Sequence, residues 1–261
     1  MRPAWLKKSA VLLAAMMTFV SLAGEFALDG VKFAYRVPAH SDTTARILVC
    51  FGGRNWEGDK TLRAFGFDAV ADRHNLYLIS PSFQEREYWE PQSWSGSLLL
   101  RAIDELRRRC SIPEGKLYLY GYSAGGQCAA HFAVWLGDGR VAAWGAHACG
   151  YYPEGKVRCP ALVTCGLDDF ERMMISRSYV CSHRENGGEA LLKFLSGGHE
   201  LQPHALELAR AWLEALLGGQ ATPVAYGEDD TNIVVSTADA LDPAYRNPLY
   251  SQEVLKIWKR E

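Results

Sequence analysis

A serine, an aspartate and a histidine follow three separate apolar segments of the sequence, as Ser123, Asp169 and His199. A serine hydroxyl is a weak nucleophile that needs a base to accept its proton. A histidine base in turn needs a carboxylate that holds its tautomer and stabilises its charged form. These residue types predict nucleophilic attack on a carbonyl carbon, provided that the three apolar segments end at a common edge of the fold.

The serine lies in a Gly-x-Ser-x-Gly pattern, residues 121–125, between two different kinds of segment. The apolar run 117–120 before it is typical of a buried strand, and the small residues after it have helical spacing to about Trp135. A strand, a glycine-lined turn and a helix are the setting that this pattern requires, because they present the hydroxyl above a sheet. The first N–H group of the new helix, that of Ala124, is then a predicted donor to an oxyanion.

The base and the acid each have a neighbouring alternative. His199 follows the predicted strand 190–195 and two glycines, whereas its rival His204 falls inside a predicted helix that starts at Pro203. Asp168 and Asp169 both follow the predicted strand 161–165, and the residues themselves leave open which of the two is the acid.

A second glycine-rich loop follows the apolar run 47–51. It contains Gly52, Gly53 and Arg54, and glycines here would let the backbone approach a substrate closely. Because an oxyanion hole needs two N–H groups, we predict Gly53 as the second donor, with Arg54 as the alternative.

Strand-like and helical segments alternate along the chain, which predicts the α/β class with a mostly parallel sheet covered by helices on both faces. An Asp-Gly turn at 29–30 between alternating segments predicts an antiparallel hairpin at the start. Residues 24–219 are expected to form this domain, and the polar, proline-containing residues 220–261 an extended C-terminal extension packed on it. The predicted strands are 47–51, 76–79, 117–120, 141–146, 161–165 and 190–195, and the main predicted helices are 61–72, 99–110, 124–135, 171–184 and 203–216.

Composition narrows the function classes. The formal net charge is −2 over 261 residues, without the basic face that a nucleic-acid partner would require.

Residues 1–23 have a basic start, an apolar run and small residues, which predicts a signal peptide and a secreted or periplasmic protein without a membrane span after cleavage. The seven cysteines are an odd number, so an exported chain retains at least one free thiol. They include no Cys-x-x-Cys pair, and no metal or organic cofactor is predicted.

The glycine-containing motifs resemble those of the α/β-hydrolase superfamily over roughly residues 25–218. The motifs are Phe51-Gly52-Gly53, Gly121-Tyr122-Ser123-Ala124-Gly125-Gly126, Gly166-Leu167-Asp168-Asp169 and Gly197-Gly198-His199. The Ser-Ala-Gly-Gly form, with Gly150-Tyr151-Tyr152, is similar to compact secreted esterases such as polyhydroxybutyrate depolymerases and feruloyl esterases. The resemblance implies Ser123 as nucleophile, His199 as base and Asp169 as acid, because the family usually places its acid three residues after the glycine.

The chain departs from the family in two ways. Phe51 stands where the family commonly has histidine, and the segment between Ser123 and Asp169 is too short for a lid domain. An open site is therefore expected. Aromatic residues of the loop 82–96 and of Tyr151-Tyr152 either line a pocket there or pack in the core.

The predicted function is an exported serine hydrolase that cleaves carboxylic esters of a small molecule or a polymer through an acyl-enzyme. One alternative is peptidase or amidase chemistry of the prolyl-oligopeptidase type, which uses the same triad. The other is a non-catalytic binding protein with the hydrolase fold. The ordered serine, acid and histidine argue against this last alternative, because a decayed site usually loses one member.

Overall fold

The structure is a computed structural model that describes residues 23–155 and 157–260. The signal peptide predicted for residues 1–23 lies outside the described residues except for Ala23. The strands are β1 Ala23–Leu28, β2 Val31–Arg36, β3 Arg46–Phe51, β4 Leu76–Pro81, β5 Leu117–Tyr122, β6 Val141–His147, β7 Ala161–Gly166, β8 Ala190–Leu195, β9 Ala225–Glu228, β10 Val234–Val235 and β11 Arg246–Leu249. The α-helices are α1 Gly58–Phe65, α2 Asp68–His74, α3 Gly96–Cys110, α4 Ala124–Leu136, α5 Phe170–Glu185, α6 Pro203–Leu217 and α7 Gln252–Trp258.

The main sheet has eight strands in the order β1-β2-β4-β3-β5-β6-β7-β8. Strands β3 to β8 are parallel to one another, and β1 and β2 extend one edge in antiparallel pairing. The chain moves from β3 to β4 on one side and then returns to β5 on the other. This reversal leaves a crevice at the carboxyl ends of β3 and β5, where ligands bind in open sheets of this kind.

The predicted N-terminal hairpin is confirmed. Strands β1 and β2 pair antiparallel from Leu28↔Val31 to Ala23↔Arg36. Asp29 and Gly30 both have positive φ, at 48° and 80°, which is the backbone of a tight two-residue turn whose twist matches the strands.

Helices cover both faces of the sheet, as predicted. On one face, side chains of α3, α4 and α5 join a buried cluster that includes Leu106, Phe132 and Val180. On the other face, α2, α6 and α7 supply Val70, Trp212 and Trp258 to a second cluster. Sheet strands buried on both faces have continuous apolar runs, which is why β3, β4 and β5 could be located from the sequence.

The prediction of one continuous helix over 61–72 is wrong. The chain forms α1 and α2 instead, because Gly66 adopts a left-handed φ of 60° and its N–H bonds to the carbonyl oxygen of Leu62. This geometry ends α1 as a glycine C-cap does. Strand β4 is also longer than the predicted 76–79, since Pro81 still pairs with Phe33 of β2.

The C-terminal residues are not the extended segment that the composition suggested. They form a three-stranded sheet in the order β10-β9-β11, followed by α7. The Asn247 side chain accepts the Leu192 N–H at 2.5 Å, and the Trp258 indole donates to the Leu192 carbonyl at 3.0 Å. The C-terminal segment therefore forms hydrogen bonds with both the backbone N–H and the carbonyl oxygen of Leu192 in β8.

A buried ion pair also joins the C-terminal segment to α5. The guanidinium of Arg184 lies 2.8 Å from a carboxylate oxygen of Asp229, and both side chains are almost fully buried. Burial raises the pKa of the Asp229 carboxyl, opposed by the neighbouring Arg184 charge. Arg184 donates in addition to the carbonyl of Ala190 and to Asn247, so its remaining donors are bonded within the protein. Removal of only one partner of such an ion pair is strongly destabilising, because the other charge is left buried without a partner.

Two further properties bear on the sequence-based predictions. Across residues 23–155 and 157–260, no helix is both long and apolar enough to cross a membrane. All seven cysteines lie in the described residues, and each is a free thiol in the structure.

Candidate active site

Ser123 occupies the sharp turn between β5 and α4. Its backbone has φ 56° and ψ −121°, a strained conformation for a residue with a side chain. The Ser123 N–H donates to the His147 carbonyl oxygen at 2.8 Å, and the Ser123 carbonyl accepts the Gln127 N–H at 3.2 Å. These bonds from β6 and from the first turn of α4 hold the turn that the sequence motif predicted.

The glycines of this turn are required by close backbone contacts. A β-carbon on Gly121 would lie 1.9 Å from the carbonyl oxygen of Gly125. One on Gly125 would lie 2.0 Å from the carbonyl oxygen of Phe51, at the end of β3. The start of α4 is thereby packed directly against the loop that follows β3.

Gly125→Ala is expected to lower the free energy of unfolding by several kcal/mol, on the order of the largest single-substitution effects. The added methyl group meets backbone oxygens of Phe51 and Gly52, which cannot move without displacing β3. Urea denaturation of the purified variant measures the change. Gly126→Ala is the matched control, because its β-carbon would lie 3.3 Å from its nearest neighbours, the Cys149 β-carbon and the His147 carbonyl oxygen, and a shift below about 1 kcal/mol is expected. Equal effects of the two substitutions would contradict this account.

Ser123, His199 and Asp169 are joined by an unbroken series of hydrogen bonds. The Ser123 Oγ lies 2.9 Å from His199 Nε2, and His199 Nδ1 lies 2.7 Å from Asp169 Oδ2. With Nδ1–H donating to the carboxylate, Nε2 is left to accept the serine proton. The Asp169 side chain is 7% exposed and that of His199 is 35% exposed, so the acid is buried and the base can reach solvent.

The alternatives for base and acid lie elsewhere. His204 Nε2 is 3.0 Å from the carbonyl oxygen of Ile257, in contact with α7 instead of Ser123. Asp168 is exposed, and its backbone N–H bonds to the carbonyl of Gly197. No side-chain oxygen caps the start of α5, so neither aspartate acts as a helix cap.

Arg172 is a member of the site that sequence reasoning missed. Its Nη1 donates to Asp169 Oδ1 at 3.0 Å, on the carboxylate oxygen that does not face His199. The i, i+3 spacing on α5 is a signal that the sequence contained, although many such pairs on helices have no functional role. Both oxygens of the buried carboxylate are therefore bonded, which fixes the orientation of the Asp169 side chain.

His147 and Tyr122 were also missed, and together they position the base. The Tyr122 ring is stacked against the rings of both His147 and His199, with a centroid distance of 5.7 Å to each. Its hydroxyl donates to the His199 carbonyl oxygen at 3.2 Å. Tyr122 and His147 are register partners at the ends of β5 and β6. The ends of two neighbouring strands thus support the histidine loop.

His147 is fully buried and electrically neutral. Its Nε2–H donates to the Glu200 carbonyl at 2.8 Å, and its Nδ1 accepts from the Thr164 hydroxyl at 2.8 Å. Burial lowers the pKa of His147 to about 4. Protonation of this residue would therefore oppose folding.

The free energy of unfolding is expected to fall as pH decreases from about 6.5 towards 4, by up to about 3 kcal/mol from His147 alone. In this pH range the unfolded chain binds a proton at His147 that the folded chain excludes. The stabilisation from neutral His147 is therefore complete only above the pKa of histidine in the unfolded chain, about 6.5. Urea denaturation across pH 4–7 measures the slope. His147→Gln, which retains a donor but cannot titrate in this range, should flatten it, and identical slopes for the two proteins would show that His147 does not cause it.

The two predicted oxyanion donors border the same crevice. Ala124 is the first residue of α4, so its N–H has no partner within the helix. Gly53 and Arg54 follow the end of β3, outside the sheet ladder. Arg54 lines the pocket beside Ser123, whereas Gly53 is buried, and a β-carbon on it would lie 3.2 Å from the Tyr122 ring. Whether Gly53 or Arg54 provides the second donor stays a prediction.

Phe51, the residue directly before the Gly52-Gly53 loop, packs in the core. Its ring centroid lies 5.2 Å from that of Phe132 on α4, and the residue is 2% exposed. A β-carbon on Gly52 would lie 2.2 Å from the Thr61 hydroxyl oxygen, so the loop turns tightly against α1 directly after Phe51. The loop is thereby held by apolar packing and close contacts.

A polar pocket of about 300 Å³ opens at Ser123. Of the residues described, those that line it are Arg54, Ser123, Ala124, Gln127, Gly150, Arg172 and His199. The aromatic side chains of the loop 82–96 pack instead on one another and on the core, as Phe83 does with Tyr88 and Trp94. Of the two alternatives stated for the aromatic residues of the loop 82–96, these side chains therefore follow core packing, and none of them is among the residues that line this pocket.

The described residues between Ser123 and Asp169 are α4, β6, a loop and β7, and no lid domain lies among them.

A larger cavity, of about 400 Å³, lies at the opposite edge of the sheet beside the starts of β3 and β5. It contains no serine–histidine pair. Nor do the described residues include a group of three or more His, Cys, Asp or Glu side chains that could hold a metal ion. Side-chain chemistry, and not cavity size, therefore locates the candidate site.

Comparison with known proteins identifies the architecture. The sequence matches no protein-family model and no curated protein. Solved structures do match. FphF, a fluorophosphonate-binding serine hydrolase of Staphylococcus aureus, superposes over 75% of this chain and 98% of its own, with a TM-score of 0.60 and 13% identity. The chain has the α/β-hydrolase fold.

Two further α/β-hydrolase structures give the same result. The poly(3-hydroxybutyrate) depolymerase LpqC of Bordetella parapertussis matches over 77% of this chain and 91% of its own, with a TM-score of 0.58 and 17% identity. The S-formylglutathione hydrolase FrmB of Staphylococcus aureus matches over 77% and 95%, with a TM-score of 0.59 and 13% identity. The three similar structures are, respectively, a serine hydrolase, a poly(3-hydroxybutyrate) depolymerase and an S-formylglutathione hydrolase. At such identities the likeness establishes the fold alone.

Proposed function

We propose that the chain is an exported serine hydrolase that cleaves carboxylic esters through an acyl-enzyme, with Ser123 as nucleophile, His199 as base and Asp169 as acid. The observation that supports this most directly is the series of hydrogen bonds from Ser123 Oγ through the His199 imidazole to the Asp169 carboxylate. The strained serine turn and the free N–H at the start of α4 are consistent with the same chemistry.

In the first half-reaction, Ser123 Oγ attacks the ester carbonyl carbon while His199 Nε2 takes the hydroxyl proton. The N–H groups of Ala124 and of Gly53 or Arg54 stabilise the negative charge that develops on the carbonyl oxygen. Asp169 stabilises the imidazolium, which then gives its proton to the departing alcohol.

In the second half-reaction, a water molecule attacks the acyl-enzyme. His199 removes a proton from that water and returns it to Ser123 Oγ, which releases the carboxylic acid. The 35% exposure of His199 gives water access to the base without movement of a covering domain.

A fluorophosphonate probe tests the nucleophile without altering the chain. We expect stoichiometric labelling, with the modified peptide located at Ser123 by mass spectrometry, because the probe needs an activated serine. Labelling at another residue, or no labelling of the folded protein, would refute the proposed nucleophile and favour the binding-protein alternative.

A substrate panel tests the reaction class. p-Nitrophenyl esters of short acids and feruloyl esters should be hydrolysed faster than peptide p-nitroanilides. The reverse order would favour the peptidase alternative, which uses the same residues.

A further inference from the structure

The pocket at Ser123 contains polar donor side chains that the proposed chemistry does not use. Two of the seven residues that line it are arginines, Arg54 and Arg172, and another lining residue, Gln127, has a carboxamide side chain. The oxyanion is already served by backbone N–H groups in this mechanism. The Arg54 guanidinium and the Gln127 carboxamide therefore remain for another part of the substrate, since Arg172 is bonded to Asp169.

The two arginines differ in how far their charge is compensated. Arg172 is ion-paired with Asp169 at 3.0 Å, so that pair adds little net charge to the pocket. Arg54 is exposed, and within residues 23–155 and 157–260 its side chain forms neither a hydrogen bond nor an ion pair. Among the described residues that line the pocket, Arg54 therefore has the one guanidinium group without a carboxylate partner.

The acidic residues nearest in sequence to Arg54 and to His199, which are Glu57 and Glu200, are not among the residues that line the pocket. The Glu200 carboxylate accepts the Gly198 N–H at 3.3 Å. Glu57, in the loop after β3, accepts a hydrogen bond from the Gln84 side chain at 2.8 Å.

We propose that this site is selective for esters that have a carboxylate near the scissile bond, bound by Arg54 together with Gln127. The inference rests on the proposed ester hydrolysis and adds a substrate class to it. A guanidinium presents paired N–H donors that match the two oxygens of a carboxylate. The carboxylate lies either in the acyl part or in the alcohol part of the ester, and the probes below separate these two sources.

Matched ester pairs test the proposal. For the acyl part, the mono-p-nitrophenyl ester of adipic acid is compared with its carboxamide analogue. For the alcohol part, the acetate ester of 4-hydroxybenzoate is compared with that of 4-hydroxybenzamide. The chain should have the higher kcat/KM for the charged member of at least one pair, after subtraction of spontaneous hydrolysis. Arg54→Gln should lower kcat/KM for the charged member about tenfold more than it lowers kcat/KM for the neutral member, since glutamine keeps the backbone N–H and removes only the guanidinium.

Arg140→Gln is the matched control, because it removes the same charge from an exposed residue before β6, at the amino-terminal edge of the sheet. It should leave both members of each pair within about twofold of wild type. Equal kcat/KM for the charged and neutral members of both pairs, or equal losses in the Arg54 and Arg140 variants, would overturn the carboxylate preference while ester hydrolysis itself stands.

Binding to Ser123→Ala decides the inference independently of turnover. Calorimetry should detect adipate but not adipamide, and Arg54→Gln in the same background should weaken adipate binding about tenfold. If the wild-type chain hydrolyses none of the four esters, the proposed function fails, and adipate binding that depends on Arg54 still supports the anion site. If adipate also fails to bind, the anion site fails as well.

Discussion

Ser123→Ala is expected to lower kcat for ester hydrolysis by at least about 10⁴-fold, with little change in the free energy of unfolding. The substitution removes the atom that would form the acyl-enzyme. The hydroxyl makes its one hydrogen bond to His199, so its loss leaves no buried polar group without a partner. Release of p-nitrophenol under saturating substrate measures the change, and fluorophosphonate labelling should disappear in parallel.

Ser182→Ala is the matched control, since Ser182 is an exposed residue of α5. Its kcat should equal that of wild type. A Ser123→Ala protein that retains a tenth or more of the wild-type rate would show that the hydrolysis measured does not depend on this serine.

His199→Ala is expected to lower kcat by about the same factor, because the members of such a triad act as one unit. Without the imidazole, no group near Ser123 Oγ accepts its proton or returns it to the leaving alcohol. The effect should be present across pH 5–9, and the KM should change much less than kcat.

His204→Ala distinguishes the two histidines that the sequence offers. Its imidazole contacts the Ile257 carbonyl on α7, so its removal should affect stability by about 1 kcal/mol and leave kcat within a few-fold of wild type. A large loss of kcat in His204→Ala together with near-normal turnover in His199→Ala would reverse the assignment of the base.

Much of the fold could be predicted because its parallel strands are buried on both faces. Continuous apolar runs located β3, β5, β7 and β8, and the Asp-Gly turn located the hairpin. The break between α1 and α2 was not predicted, since Leu62, Phe65, Ala69 and Val70 maintain helical spacing across it. Only the left-handed backbone of Gly66 ends α1, and glycine within a helical pattern is also tolerated without a break.

The candidate site was predictable in its chain order but not in its supporting contacts. Ser123, Asp169 and His199 each follow a strand end, which the sequence reveals directly. The stacking of Tyr122 against His147 and His199 depends on which strands are neighbours and in which register, and a single sequence does not specify either. The role of Arg54 depends on its lack of an internal partner, which only the folded arrangement displays.

Strand β8 is an edge strand of the main sheet. The side chains of Asn247 and Trp258 form hydrogen bonds with the backbone N–H and the carbonyl oxygen of its residue Leu192. An uncovered sheet edge is a template on which a second chain can add a strand. The C-terminal segment thus protects the molecule against edge-to-edge aggregation at the strand that leads into the His199 loop. Truncation before residue 247 would expose this edge, and self-association of the shortened chain would then compete with folding of the loop that holds the base.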